Sequence, residues 1–312
     1  MKKGNGPSRR NRNGFSSRGA ARGVPAGAIQ RKRISPNRRN GFAGGSRPYD
    51  YSFYESEPAT LEYLARLFAR HSFSVSSDQL ERFWILYDLL RRRNAELDLT
   101  RIMGIEATVL KHFVDSALIL RWFEPVGPVL DIGTGPGFPA LPLAIMRPDI
   151  RYLLAESRAK RIGFLREAVT ALKLGNADIF PQSVREDSPL GEEFGVPVGD
   201  VVTRALEPIR ATLERILPVI RPGRQAAFLK GPDCGAEVAD ALAAFSGVYE
   251  LAGDDEYLLP GTDHRRRLPR FRRLPLANRS RSDSDLALAR CRQWQERYAG
   301  GSRKEDGFQK NT

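Results

Sequence analysis

From Pro128 onward the chain predicts an open α/β fold, a parallel sheet with helices on both faces. Three observations predict it. Short apolar runs recur at residues 129–132, 151–155, 177–180, 200–203 and 226–229. Each is followed by a helical pattern or by a loop leading to one, as the crossovers of parallel strands require. The first run also ends in a glycine-rich turn, with Asp131, Gly133, Gly135 and Gly137 spaced D-x-G-x-G-x-G ahead of a helix-compatible segment.

The elements follow in order. Residues 1–49 hold 13 of the 50 Lys and Arg and no Asp or Glu, so the net charge of +13 sits there and the rest of the chain is balanced. With few large apolar side chains to offset the entropy of ordering, this segment is predicted to be a disordered basic arm. It suits phosphate neutralisation on a nucleic acid; a solubilising tail and an import peptide are the alternatives. Residues 50–125 read as a helical N-terminal subdomain. Ser76 and Gln79 fit a capping box, and Leu80, Phe83, Trp84, Tyr87 and Leu90 follow at helical spacing. Leu110, Phe113, Val114, Ala117 and Leu120 mark a second helix. Residues 126–276 form the sheet domain, closed by an antiparallel pair at 249–258 and 265–274 around Pro260 and Gly261. Residues 277–312 are a polar linker and one helix, 284–298.

Composition removes several classes. A chain of 312 residues with 41% apolar residues builds a real core, and no apolar run approaches the 18 or more residues of a membrane span. Cys234, Cys291, His71, His112 and His264 are too few and too scattered for a zinc cluster or a disulfide framework. A cytoplasmic location follows; nothing sets an oligomeric state.

The glycine turn carries the chemistry. Glycines let the chain turn tightly and let a ligand approach the backbone. A dinucleotide fingerprint starting at Gly133 requires glycine at 138, where Phe138 stands. Asp131 would accept from an ammonium group and repel a pyrophosphate. S-adenosylmethionine (SAM) has the ammonium and no phosphate. At the end of the second strand, Glu156 is placed to accept from ribose hydroxyls.

The surrounding residues sharpen this. LDIGTGPGFPALP from Leu130, AESRAKR from Ala155, Phe164 and Leu165, LKLGN from Leu172, RAL from Arg204 and LKG from Leu229 stand in one order with LDLT from Leu97 and KHFVDS from Lys111. Over residues 75–276 the chain resembles the bacterial small-subunit ribosomal RNA guanine-N7 methyltransferases, the RsmG or GidB family. The resemblance implies a Rossmann-like class I methyltransferase fold, SAM as cofactor, and N7 methylation of a guanine in 16S rRNA of the small ribosomal subunit. It also implies that Gly133, Phe138 and Arg204 contact SAM. The family's adenine-side pattern falls on Ser183-Val184-Arg185-Glu186, with Val184 where the family has arginine. One register makes Arg185 and Glu186 the contacts; a shift of one makes them Val184 and Arg185.

Guanine N7 carries a free lone pair, so no base must first remove a proton, and no catalytic residue is assigned. Catalysis then rests on in-line positioning and fixed dipoles. The alternatives are a methyltransferase on another RNA or a small molecule, and a non-catalytic RNA-binding protein of ribosome assembly. His112 and Asp115, three apart on one helix face, suit a helix-cap or interdomain hydrogen-bonding role more readily than a catalytic pair. Cys234 reads as structural. The run Arg265, Arg266, Arg267, Arg270, Arg272, Arg273 reads either as an RNA face or as an edge strand protected by charge.

Overall fold

The computed structural model describes residues 57–185, 188, 190, 198–204 and 206–275. The expected arm, Glu186 and the expected helix at 284–298 lie outside the described residues.

Helix α1 (Leu61–Arg70) is an element that the sequence analysis did not mark. The Thr60 side chain caps it by accepting from Tyr63 N, and Tyr63, Leu64, Leu67 and Phe68 form its buried stripe. Helix α2 (Ser77–Leu97) starts at the expected capping box, with Gln79 N donating to Ser76 Oγ and Ser76 N to Gln79 Oε1. The next helical run has four parts: α3 (Ile105–Thr108), a π-helical turn (Val109–Val114), α4 (Asp115–Ala117) and a 3-10 turn (Leu118–Arg121).

Seven strands then form one sheet in the order β3-β2-β1-β4-β5-β7-β6. They are β1 (Val129–Ile132), β2 (Tyr152–Ala155), β3 (Ala177–Phe180), β4 (Val201–Arg204), β5 (Gln225–Leu229), β6 (Tyr249–Leu258) and β7 (Arg265–Arg273). Strands β1 to β5 are parallel, and β7 runs antiparallel to both of its neighbours. The helices between them are α5 (Ala140–Met146), α6 (Ala159–Ala171), α7 (Ile209–Ile216) and α8 (Gly235–Ala244).

Strand alternation divides the core into two layers. Val129, Tyr152, Leu154, Val202 and Ala227 join one cluster with α1, α2, the run from Ile105, α5 and α6. Leu130, Ile132, Leu153, Val201, Ala226 and Phe228 join the other with α7 and α8. The N-terminal helices therefore share their core with the sheet. Within the first layer, hydrogen bonds tie α2 to α5 and α6: Gln79 Nε2 donates to Ile145 O at 3.4 Å, and Arg93 Nε donates to Glu167 Oε2 at 2.8 Å.

The reading of β7 as an edge strand is overturned, because β6 is the edge and β7 lies between β6 and β5. Much of its charge answers the neighbouring strand. Arg267 bonds both oxygens of Asp254 at 2.7 and 2.6 Å, Arg270 meets Asp255 at 2.5 Å, and Arg272 meets Glu250 at 2.8 Å. These are cross-strand ion pairs, the ordinary way to line an antiparallel ladder.

Candidate functional site

The site is built where β1 and β2 end. The loop after β1 closes on itself: Thr134 N donates to Ala155 O at 3.1 Å, and Gly137 N and Phe138 N both donate to Thr134 O at 3.0 Å. Beneath the loop, Asp131 is fully buried, and its Oδ2 accepts from Thr134 Oγ1 at 2.7 Å and from Ala140 N at 3.0 Å. Its Oδ1 is buried without a hydrogen-bond partner. Burial pushes this carboxyl from 3.8 up to about 7, against the opposing pull of its two donors. Asp131 thus holds the loop's shape and brings an acidic group close beneath it.

The glycines have different tasks. At Gly133 φ is +66°, and an added Cβ would meet Leu206 Cδ1 at 2.5 Å across the cleft. At Gly137 φ is +96°, and the Cβ would meet Leu141 Cδ1 at 2.2 Å. Gly133 therefore lets the Leu206 side chain lie against the loop backbone, and Gly137 lets the loop sit on α5.

Gly133, Glu156, Arg161, Ser183, Val184 and Leu206 are among the residues lining this cleft. Glu156 Oε1 accepts from Ser157 N and Arg158 N, each at 2.9 Å, and Oε2 lies 3.3 Å from Arg161 Nη1. The two amides fix the carboxylate at the cleft wall. Arg161 was not singled out from the sequence, although it stands inside the AESRAKR stretch, in the first turn of α6 five residues after Glu156.

The other expected contacts fall differently. Arg185 is exposed, with its N donating to Ser188 Oγ at 2.6 Å, and Val184 is buried on the cleft wall. Of the two registers, the shifted one brings Val184 to the cleft. Phe138 is buried with its ring stacked on His112, centroids 4.2 Å apart and planes 4° apart. Arg204 lies over the Phe138 ring, its guanidinium carbon 5.4 Å from the centroid. Neither side chain is on the wall that Gly133 and Glu156 share.

Arg204 instead ties β4 to the helical run. Its Nη1 donates to Lys111 O and its Nη2 to His112 Nδ1, both at 2.9 Å, and Asp115 Oδ2 is 3.7 Å away. Because His112 Nδ1 accepts, its Nε2 carries the proton and donates to Thr100 Oγ1 at 3.0 Å. Burial and the Arg204 charge hold His112 well below its usual range, so the ring is neutral. Both nitrogens are engaged, which is the structural role expected of it. Asp115 also accepts from Arg266 Nε, at 3.1 Å to Oδ1 and 3.3 Å to Oδ2.

A family model described as rRNA small subunit methyltransferase G matches residues 79–251. The chain is 40% identical over 223 residues to a ribosomal RNA small subunit methyltransferase G 2 of Syntrophobacter fumaroxidans, covering 72% of this chain and 44% of that relative. It thus spans less than half the length of that protein. It is 33% identical over 239 residues to the protein so named in Bdellovibrio bacteriovorus, covering 74% of this chain and 91% of the relative. A ribosomal RNA small subunit methyltransferase G of Carboxydothermus hydrogenoformans is 32% identical over 216 residues, 68% of this chain and 90% of its own length.

Proposed function

Because the chain belongs to the rRNA small subunit methyltransferase G family, we propose that it transfers the methyl group of SAM to N7 of one guanine in 16S rRNA, in the cytoplasm. The observation that supports this most is that the matched stretch, 79–251, contains β1 to β5 and the whole cleft wall. Among the described residues, no helix is long and apolar enough to cross a membrane.

The cleft suits SAM. Its loop has no side chain at Gly133, where only Leu206 faces the backbone, an unpartnered carboxyl oxygen of Asp131 lies buried beneath, and Glu156 stands on the wall. Two acids beside a glycine loop favour a cationic ligand with hydroxyls and oppose a pyrophosphate. When bound, SAM supplies a methyl group on a positively charged sulfur. In this reading Gly133 presents its backbone to the cofactor, Glu156 Oε2 accepts from a ribose hydroxyl, and Val184 offers an apolar surface to the adenine. Phe138, His112 and Arg204 act behind the loop by holding it, and Arg185 follows Val184 at the adenine end.

No general base is needed, since the attacking lone pair of N7 is free in neutral guanine. His112 has no nitrogen to spare, and Asp131 is sealed from any substrate. The chain's contribution is positional: the loop fixes one reactant and the RNA surface must deliver the base in line. N7 lies on an edge that the narrow groove of A-form RNA hides, so the target base comes from an irregular segment or is flipped out.

The full chain incubated with methyl-labelled SAM and small ribosomal subunits should place label in 16S rRNA as N7-methylguanine, read by mass spectrometry of nuclease digests. Label at another position moves the assignment to a different RNA methylation. SAM binding without any transfer favours the non-catalytic RNA-binding reading.

A further inference from the structure

One residue lining the cofactor cleft has no task in the reading above. Arg215 reaches the wall from α7 and stands there with Gln182, Ser183, Val184 and Leu206. Its place in the helix accounts for this: Ile209, Thr212, Leu213 and Ile216 form the buried stripe of α7, and Arg215 lies beside it.

The side chain is held in place by a network. Glu207, in the loop between β4 and α7, accepts from Arg215 Nη2 at 2.8 Å with one carboxylate oxygen and from the buried Thr212 Oγ1 at 3.2 Å with the other. The Glu207 backbone is pinned in turn, its O accepting from Lys230 Nζ at 2.8 Å. Glu237 Oε2 accepts from Lys230 Nζ at 2.8 Å and from Ile209 N at 3.0 Å, which ties the start of α7 to α8. A guanidinium carries five N–H donors in a rigid fork. Glu207 takes one of its corners, while Nε is buried with no hydrogen-bond partner among the described residues. A buried donor left unmade is costly, and a ligand acceptor brought against the guanidinium offsets that cost.

We infer that Arg215 donates a hydrogen bond to a ring nitrogen of the SAM adenine and so makes the cleft selective for that base. The inference rests on the SAM reading of the cleft and deepens it. Val184 gives the adenine end a buried apolar surface and no side-chain donor, and Gln182 and Ser183 are exposed. Arg158 and Arg161 stand on the Glu156 side, where the ribose belongs. Arg215 is thus the braced side-chain donor at the Val184 end. Because Glu207 answers its charge, the guanidinium offers a directed N–H rather than a free cation. That suits the neutral acceptor nitrogens of a purine ring better than a phosphate or a carboxylate.

The test is calorimetric titration of the full chain with S-adenosylhomocysteine, the demethylated product that keeps the adenine, and with its 1-deaza, 3-deaza and 7-deaza analogues. Each analogue replaces one ring nitrogen by C–H. The wild type should bind one of the analogues about 10- to 150-fold more weakly than the parent ligand, the range of a charged hydrogen bond. Arg215→Met should weaken the parent ligand by a similar factor and lose that discrimination. Arg215→Lys keeps a cation for Glu207, so it serves where the methionine variant fails to fold, and it should lose most of the discrimination because an ammonium lacks the planar fork. A wild type that binds the parent and all the analogues alike overturns the inference. So does a folded Arg215 variant that keeps the full wild-type discrimination, which is the outcome of a merely structural role that weakens every ligand equally. A wild type that binds none of these ligands overturns the SAM reading together with this one, whereas binding without discrimination overturns this one alone.

Discussion

At single residues, Glu156 and Asp131 divide the work of the cleft. Glu156 has one oxygen committed to two backbone amides and the other open toward Arg161 and the cleft. Replacing it with alanine should lower SAM affinity about 10- to 150-fold, the equivalent of about 1.5 to 3 kcal/mol for charged hydrogen bonds, in calorimetric titration. Unaltered affinity would leave Glu156 as no more than a loop brace. Asp131 makes a different prediction through pH. Its carboxyl titrates near 7 when folded and near 3.8 when unfolded, so the folded state binds the extra proton in between. The associated stability is fully present below about 3.8 and is lost as pH rises through about 7, at up to about 1.4 kcal/mol per pH unit. Asp131→Asn should therefore gain on the wild type between pH 5 and 7 in urea unfolding, and hold a constant difference above about 8. A difference that ignores pH would place the wild-type titration elsewhere. Gly133 and Glu156 were legible as cleft residues because strand end, turn and acid follow a spacing. The inward retreat of Phe138 and Arg204 was not. Their partners, His112 and Lys111, come from a helix that sequence spacing cannot bring to β4.

At the level of elements, the glycine loop and α5 act as one piece. Gly137 and Gly135 both adopt positive φ, but only at Gly137 would a methyl group strike a neighbour within ordinary contact distance. Gly135→Ala should cost about 1 to 2 kcal/mol from the backbone alone. Gly137→Ala should add about 1 to 3 kcal/mol of overpacking against Leu141. Denaturant unfolding of the two variants tests the order, and equal losses would remove the packing role of Gly137. The strands were readable because buried parallel strands are short apolar runs, and those at 129–132 and 177–180 match their observed bounds. Helix α1 carries a readable signal of its own, Thr60 before a stripe of Tyr63, Leu64, Leu67 and Phe68. The π-helical turn had none, because widening a helix by one residue per turn is set by what packs around it. The position of β7 was equally hidden: six arginines look like an exposed edge until Glu250, Asp254 and Asp255 are seen opposite them.

For the whole molecule, the charge asymmetry sets the N-terminal segment apart from the cleft. Deleting residues 1–49 removes 13 basic side chains and no acid. RNA affinity should fall and its salt dependence flatten, while SAM affinity stays constant because the cleft is built from residues beyond 131. An identical salt slope would return the arm to the role of a solubilising tail. The sheet order also dictates an order of assembly. Strand β7 is the last described element to leave the ribosome, yet it lies inside the sheet, between β5 and β6. Until it arrives, the far side of β5 has no ladder partner, and β6 has nothing in the sheet to pair with. During synthesis the nascent chain therefore carries an open, apolar strand edge at Ala226 and Ala227 that invites pairing with another chain. Messages truncated before Arg265 should yield aggregates, and the hairpin of β6 and β7 acts as a late closing clasp.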